Sequence, residues 1–380
     1  MKGKYQRTSR SKGFAAGWLV VFSLIVTTAL LLAVAVYSGA PSKERVPESN
    51  LRIVERFFTN CSNAVSDAAA GMMNVEKTYW IGGNTTAAPK PEQMGFGETT
   101  DPSDLTEIVN AAEKLLKGQS LYFSPDITIL ENSTIHYYYD ETILAITWKQ
   151  AIDYTVYTFS EVKIADPSQF RRYLAGGEYG SGKLAIPTEL ASSVNAVVAS
   201  SGDYYQFRNV GIVVYNGTVC RAEAGADICY IDDNGDLLFT HSSERMDMAA
   251  AQKFVDENHI QFSLAFGPVL VENGEKNSFG AYGLGEVGDQ FARAALCQMD
   301  ELHYLLVNAN GDVGHYSYPT MYSFANRIHE TGCRMAYALD GGQTAVIVMD
   351  GELINQVTRG YQRKISDIIY FATALPNAQG

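Results

Sequence analysis

An aspartate followed by two glycines, Asp340-Gly341-Gly342, separates two apolar runs, Met335 to Leu339 and Ala345 to Met349. At a strand end that carboxylate could give or take a proton. The paired glycines could bring backbone N–H groups close to an anionic oxygen. The same tripeptide also makes an ordinary turn, so these residues alone leave both readings open. Other chemistry-bearing strings fail on their surroundings. Residues 283–288 (GLGEVG) match the dinucleotide fingerprint, but the preceding Lys276 to Ala281 is loop-like and no βαβ unit surrounds it. Asp232 to Asp236 (DDNGD) resembles part of a calcium loop, lacks the later bidentate glutamate, and reads as a hairpin turn. No GxSxG, HExxH or phosphate-loop string occurs, and the six histidines have no ligand spacing. Neither a metal site nor a cofactor is expected.

The elements that would position Asp340 read as an α+β domain, a mostly antiparallel sheet with a few packed helices. Tyr137 to Trp148 and Thr155 to Ile164 are rich in β-branched and aromatic residues. Shorter apolar runs follow at 211–215, 229–231, 237–240, 263–271, 302–308 and 345–349. The turn pairs between them are Asn216-Gly217, Asn234-Gly235, Asn273-Gly274, Asn310-Gly311 and Asp350-Gly351. Such pairs supply the positive φ angles of tight hairpins, so the sheet should meander. Helical spacing predicts helices over Met246 to Asn258 and from Met321 to a stop at Gly332. Upstream, helical patterns at 50–75 and 104–116, the second capped by Ser103, flank a loop rich in Gly, Thr and Pro.

The chain has 380 residues, 46% hydrophobic and 19% charged, with a net charge of −13. That is ample for a buried core and excludes a disordered chain or a basic nucleic-acid binder. Phe14 to Tyr37 contains no charged side chain. Its helical length of roughly 36 Å exceeds the ~30 Å of a hydrocarbon core. Lys2, Lys4, Arg7, Arg10 and Lys12 precede it without an acidic residue, which orients the N-terminus to the cytoplasm. A cleaved signal peptide is the other reading, although the apolar run is long for one. The expected order is a basic cytoplasmic tail (1–13), a transmembrane signal anchor (14–37), a linker with a helical accessory region (38–134) and the main domain (135–375). The protein is thus expected in the cell membrane, single-pass, with its C-terminal domain extracytoplasmic. Beyond Arg45 there are 22 basic and 41 acidic residues. That excess disfavours nucleic acid, and an anionic substrate would need a few local arginines. Cys220 and Cys229 flank a turn-rich stretch. Either they pair across a hairpin as a disulfide, with Cys297 and Cys333 a further possible pair, or all five cysteines stay reduced thiols.

Several stretches in one order resemble the phosphodiester glycosidase family, from about Glu161 to Phe371. They are Val197 to Tyr205 (VVASSGDYY), Gly211 to Gly217 (GIVVYNG), Phe266 to Gly274 (FGPVLVENG), Arg293 to Gln298 (RAALCQ) and Leu339 to Ala345 (LDGGQTA), with Arg363 and Ile365 closing the set. The resemblance implies a hydrolase that cleaves a glycosyl-1-phosphodiester in a cell-wall polymer or exopolysaccharide. Its partner would be a carbohydrate or glycosyl-phosphate polymer. It implies Asp340 as the acid–base or water-positioning carboxylate, Arg293 on the phosphate, and Asp203 as a second carboxylate. Gly341, Gly342, Thr344, Gln298 and Arg208 would supply further substrate contacts. The chain departs from the family where Gln343-Thr344-Ala345 replaces Gly-Ser-Ser, and where Ala294 and Cys297 replace Thr and Gly. Those changes fit a different substrate, or an inactive envelope-glycan binding or assembly protein of the same fold.

Overall fold

Three of the expected turn pairs close hairpins, while the long hairpin of the large sheet turns at Asp153-Tyr154. Both residues of Asn216-Gly217, Asn273-Gly274 and Asp350-Gly351 have positive φ, the conformation in which a two-residue turn matches strand twist. The computed structural model describes residues 88–280, 282–283, 286–310 and 316–375. The basic tail, the apolar run 14–37, the helical pattern at 50–75 and Cys61 lie outside the described residues. The chain divides into one unit over Met1–Glu76 and another over Lys77–Gly380. All that follows concerns the second. Among the described residues no helix is long and apolar enough to cross a membrane.

The first strands are β1 (Phe96–Thr99), β2 (Ile135–Asp140), β3 (Ile143–Ile152), β4 (Thr155–Ile164), β5 (Phe170–Leu174), β6 (Val198–Ser201), β7 (Ile212–Tyr215), β8 (Thr218–Ala222), β9 (Ile228–Ile231) and β10 (Leu237–Thr240). They continue as β11 (Phe262–Leu264), β12 (Val269–Glu272), β13 (Glu275–Lys276), β14 (Arg293–Asp300), β15 (His303–Asn310), β16 (Met335–Leu339), β17 (Ile347–Met349), β18 (Glu352–Leu353) and β19 (Asp367–Phe371). A nine-stranded sheet has the order β1-β2-β3-β4-β15-β14-β16-β12-β13. Two five-stranded sheets have the orders β10-β9-β11-β7-β8 and β18-β17-β6-β19-β5. The pairings of β4, β14, β15 and β16 at the centre of the large sheet are antiparallel, as are those of β6 and β11 in the small ones. The antiparallel, sheet-rich α+β class is therefore observed.

One face of the large sheet packs against both small sheets. Leu296, Tyr337 and Leu339 meet Phe262 and Leu264 from one, and Val198, Ile347 and Phe371 from the other. The opposite face, with Ala295, Cys297 and Ala338, is covered by helices α1 (Thr106–Ala111), α2 (Glu113–Leu116) and, further along the chain, the helix Met321–Glu330. That last helix starts at a Thr320 cap and ends before Gly332 at φ 77°, the expected stop. Its Phe324 is fully buried, worth about 2–3 kcal/mol of transfer free energy.

Four expectations are corrected. The sheet begins upstream of residue 135: β1 pairs with β2, and α1 and α2 pack in the same core. The cap of that helical stretch is Asp101, accepting from the Ser103 N–H, because Pro102 takes the first helical position. The apolar run 263–271 is two strands, since the chain crosses from a small sheet to the large one at Ala265 to Pro268. Cys220 and Cys229 are free thiols. They lie on β8 and β9, which β7 and β11 separate. Three strand steps are about 14 Å, twice the reach of a disulfide. Cys297 and Cys333 are also free, and their buried thiols hydrogen-bond to each other.

Candidate active site

Three chain segments meet where β6 and β16 end: 202–208, 340–344 and 359–363. Their floor is ionic. Arg172 on β5 is fully buried, and its Nη2 lies 2.8 Å from Asp203 and 2.9 Å from Asp367. Its Nη1 also donates to the Ser263 carbonyl. Burial opposes the Arg172 charge, but the two carboxylates hold its pKa above the usual value. Gly202 is required here by close approach, because a Cβ would come within 1.9 Å of Asp367 Oδ2.

Asp203 is placed beside the site but tied into this floor. Its Oδ1 accepts from the Tyr205 N–H at 2.9 Å and its Oδ2 from the Ala265 N–H at 2.8 Å. With Arg172 on it as well, three donors occupy three of the carboxylate's roughly four acceptor sites. These contacts make Asp203, the expected second carboxylate, a brace of the turn that follows β6.

Asp340 leaves the end of β16 with its N–H donating to the Gly202 carbonyl and its own carbonyl accepting from Ser201 Oγ. Two sheets are stitched together at this residue. Asp340 is buried, 8% exposed as a whole residue. Burial pushes its pKa up to about 6, against the Thr344 hydroxyl and the charges of Arg208 and Arg363. The single proton of the Thr344 hydroxyl is directed to the Gly341 carbonyl at 2.6 Å. Of the two glycines, Gly342 gives its N–H to the Ala292 carbonyl at 2.7 Å, so it is not an anion donor. Gly341 faces that carbonyl so closely that a Cβ would lie 2.7 Å from it.

The cations that act on Asp340 are thus Arg208 and Arg363. Arg208 lies over the rings of Phe266 and Tyr204, at 4.8 and 5.5 Å. Its Nη1 is buried without a hydrogen-bond partner among the described residues, as a guanidinium awaiting an oxyanion would be. Arg363 donates to the Tyr204 hydroxyl at 2.9 Å and covers the Tyr204 and Phe207 rings. Tyr204 stacks on Phe207, which is 44% exposed. A carboxyl with a pKa raised to about 6, two guanidiniums and a half-exposed aromatic pair can hold a phosphorylated sugar and move one proton beside it.

Gln298 lies elsewhere, and Arg293 sits beside the Asp340 turn, its Cα 3.7 Å from where a Gly341 Cβ would stand and its guanidinium over the Phe291 ring. Arg293 follows Ala295 and Cys297 to the helix-covered face of β14. Its Nη2 donates to the carbonyls of Glu286 and Asp289, at 3.0 and 2.6 Å, fastening that loop. Burial pulls its pKa down to about 10. Gln298 pairs with Met335 at the far end of β14, about 16 Å of strand from the register position of Asp340. There it braces the β9–β10 hairpin, accepting from the Leu237 N–H and donating to Asp236. Tyr204, Phe207 and Arg359 were not singled out from sequence, although the aromatic run after Gly202 was a visible signal. At 283–288 no helix begins among the described residues, and Asp232 to Asp236 is the β9–β10 turn. Among the described residues no His/Cys/Asp/Glu group could hold a metal.

Beside the Asp340 turn opens a cavity of about 500 Å³, lined by Phe291, Tyr318, Gln343, Arg359, Tyr361 and Arg363 among others.

Comparison with known proteins bears on this region. Residues 194–372 match a family described as phosphodiester glycosidase. Over 297 residues the chain is 22% identical to the SPbeta prophage-derived uncharacterized protein YomE of Bacillus subtilis (strain 168). That match takes in 76% of this chain, which spans 43% of the length of that relative. Among solved structures, the zebrafish N-acetylglucosamine-1-phosphodiester alpha-N-acetylglucosaminidase catalytic domain, auto-inhibited by pro-peptide, aligns with TM-score 0.49 and 17% identity. The alignment covers 60% of this chain and 82% of that one. A hypothetical protein from Synechocystis aligns with TM-score 0.43 and 14% identity, over 60% and 62% of the two chains.

Proposed function

We propose, from the premise that residues 194–372 are a phosphodiester glycosidase domain, that the protein hydrolyses a glycosyl-1-phosphodiester to free sugar and a phosphomonoester. Arg208 and Arg363 hold the non-bridging phosphate oxygens, and the Tyr204–Phe207 face carries the sugar ring. Asp340 takes a proton from water as that water attacks the anomeric carbon. The C1–O bond breaks, the oxygen stays with phosphorus, and the guanidiniums balance the charge gained by the leaving phosphate. Because the leaving group is already a stabilised phosphate, one carboxyl near pH 6 suffices as base. The observation that carries this reading is the Asp340 carboxyl within the fields of Arg208 and Arg363.

The anchor at 14–37 would hold the domain outside the cytoplasm, where a wall polymer or exopolysaccharide is the available glycosyl phosphate. The test is incubation of the full chain with sugar-1-phosphodiesters, reading free reducing sugar and phosphomonoester together. Release of both, abolished in Asp340→Asn, is expected. Turnover undiminished in that variant would sink the assignment.

A glycan-binding protein without turnover is the second reading. One observation favours it: Asp203, the carboxylate whose charge reaches Asp340, is tied to Arg172 and two backbone N–H groups, which restricts its freedom to serve as a second catalytic carboxylate.

A further inference from the structure

The cavity beside the Asp340 turn has a charge character unlike the rest of the domain. Arg359 and Arg363 line it, and no Asp or Glu does, in a chain that carries 41 acidic residues beyond Arg45. A second cavity, about 430 Å³, lies beyond Tyr318 and is different: on its wall Arg327 pairs with both Asp153 and Glu330, which leaves one negative charge in excess. The two arginines are four residues apart on one loop and have separate surroundings. Arg363 reaches toward Asp340 and the Tyr204 hydroxyl. Arg359 instead meets the Tyr361 hydroxyl.

The loop is held in an unusual shape. Arg359 has φ 69° and ψ 5°, a left-handed conformation that costs a side-chain-bearing residue free energy. Gln343 keeps it there from across the cavity, donating from Nε2 to the Tyr361 carbonyl at 3.1 Å. Gln343 is the bulky amide that stands where the family pattern has glycine. Phe291 and Tyr361 are 40% and 59% exposed beside these cations, and the Arg293 guanidinium lies over the Phe291 ring.

We propose that this cavity is a second subsite, in which Arg359 binds the next phosphate of a chain of phosphodiester-linked sugars while Phe291 and Tyr361 flank the intervening unit. The inference rests on the glycosyl-phosphodiester reading of the Asp340 site and names its substrate class: an oligomer or polymer with phosphate in every repeat. Arg363, shared by both sites, marks the boundary between the cleaved linkage and the next one. The volume of about 500 Å³ lies within the range of sugar-sized ligand sites.

The test measures binding to the full-length Asp340→Asn protein, so that cleavage plays no part. Three probes are compared: methyl N-acetylglucosamine-1-phosphodiester, a two-sugar ligand with two phosphodiesters, and a two-sugar ligand of equal length with one phosphodiester and one neutral linker. The two-phosphate ligand is expected to bind about tenfold more tightly than either other. In Asp340→Asn carrying Arg359→Gly, a residue suited to the left-handed backbone, the ratio should fall to near one. Arg359→Lys should recover part of it. Equal affinities for the three probes, an unchanged ratio after Arg359→Gly, or no binding at all overturns the subsite. Turnover by the unmutated protein is scored separately. A clear affinity ratio without turnover keeps the subsite and removes the hydrolase, whereas turnover without the ratio does the reverse.

Discussion

Asp340 combines two opposed properties. Its folded-state pKa of about 6 lies above the ~3.9 of an exposed aspartate, so folding favours the protonated form. Stability is then greatest below about pH 4 in this respect and falls as pH rises toward 6, above which the penalty is constant. Asp340→Asn should remove it, raising stability by about 1–3 kcal/mol at pH 7 and by little at pH 4. Thermal melts at both pH values check this. Because the ionised form is the base, kcat/KM should climb through pH 6 and level off above it, a profile that a general acid would invert. Arg359→Gly belongs to this scale too: relief of the left-handed φ, less the added chain entropy of glycine, should leave the protein about 0.5 kcal/mol more stable. A urea midpoint measures it.

At the scale of elements, the site depends on where strands end and what lies under them. Gly202→Ala would drive a methyl into the Asp367 carboxylate and disturb the buried Arg172 pairings. A loss of about 2–4 kcal/mol is expected in denaturant unfolding, with turnover lost as well. Glu161 on β4 plays a comparable part on the other face. It accepts from the Tyr122 and Phe123 N–H groups and from His303, each at 2.7 Å, tying the segment after α2 to the sheet. Glu161→Ala should cost about 3 kcal/mol and open proteolytic cleavage near residue 122. Sequence reading worked where the cause was local. Asn-Gly pairs marked the hairpins, Gly332 marked the helix stop, and an aspartate between two apolar runs marked Asp340. It failed where the cause was distant. Nothing within Arg293 to Gln298 tells which face β14 turns to helices or which end it turns to the site. The meeting of Arg208 with Asp340 and Arg363 joins residues more than 100 positions apart. The run 263–271 reads as one strand because hydrophobicity cannot record a change of sheet.

For the whole molecule, the consequence of the charge distribution is local selectivity against a general field. A domain with so many carboxylates repels polyanions except where arginines are gathered, so a phosphate-bearing chain has one favourable approach. The proposed anchor limits that approach to polymer near the membrane surface. Deletion of residues 1–37 should move the protein from the membrane to the soluble fraction, measured by fractionation, with turnover of small soluble phosphodiesters retained. A truncated protein still pelleting with membranes would remove the anchor from the account.

The bond from the Asp340 N–H to the Gly202 carbonyl also offers a clock. That amide proton can trade for deuterium only when the seam between the two sheets parts. Its exchange rate therefore counts how often the reactive carboxyl loses its seat. A ligand that grips both sides of the seam will slow that count before any product is formed.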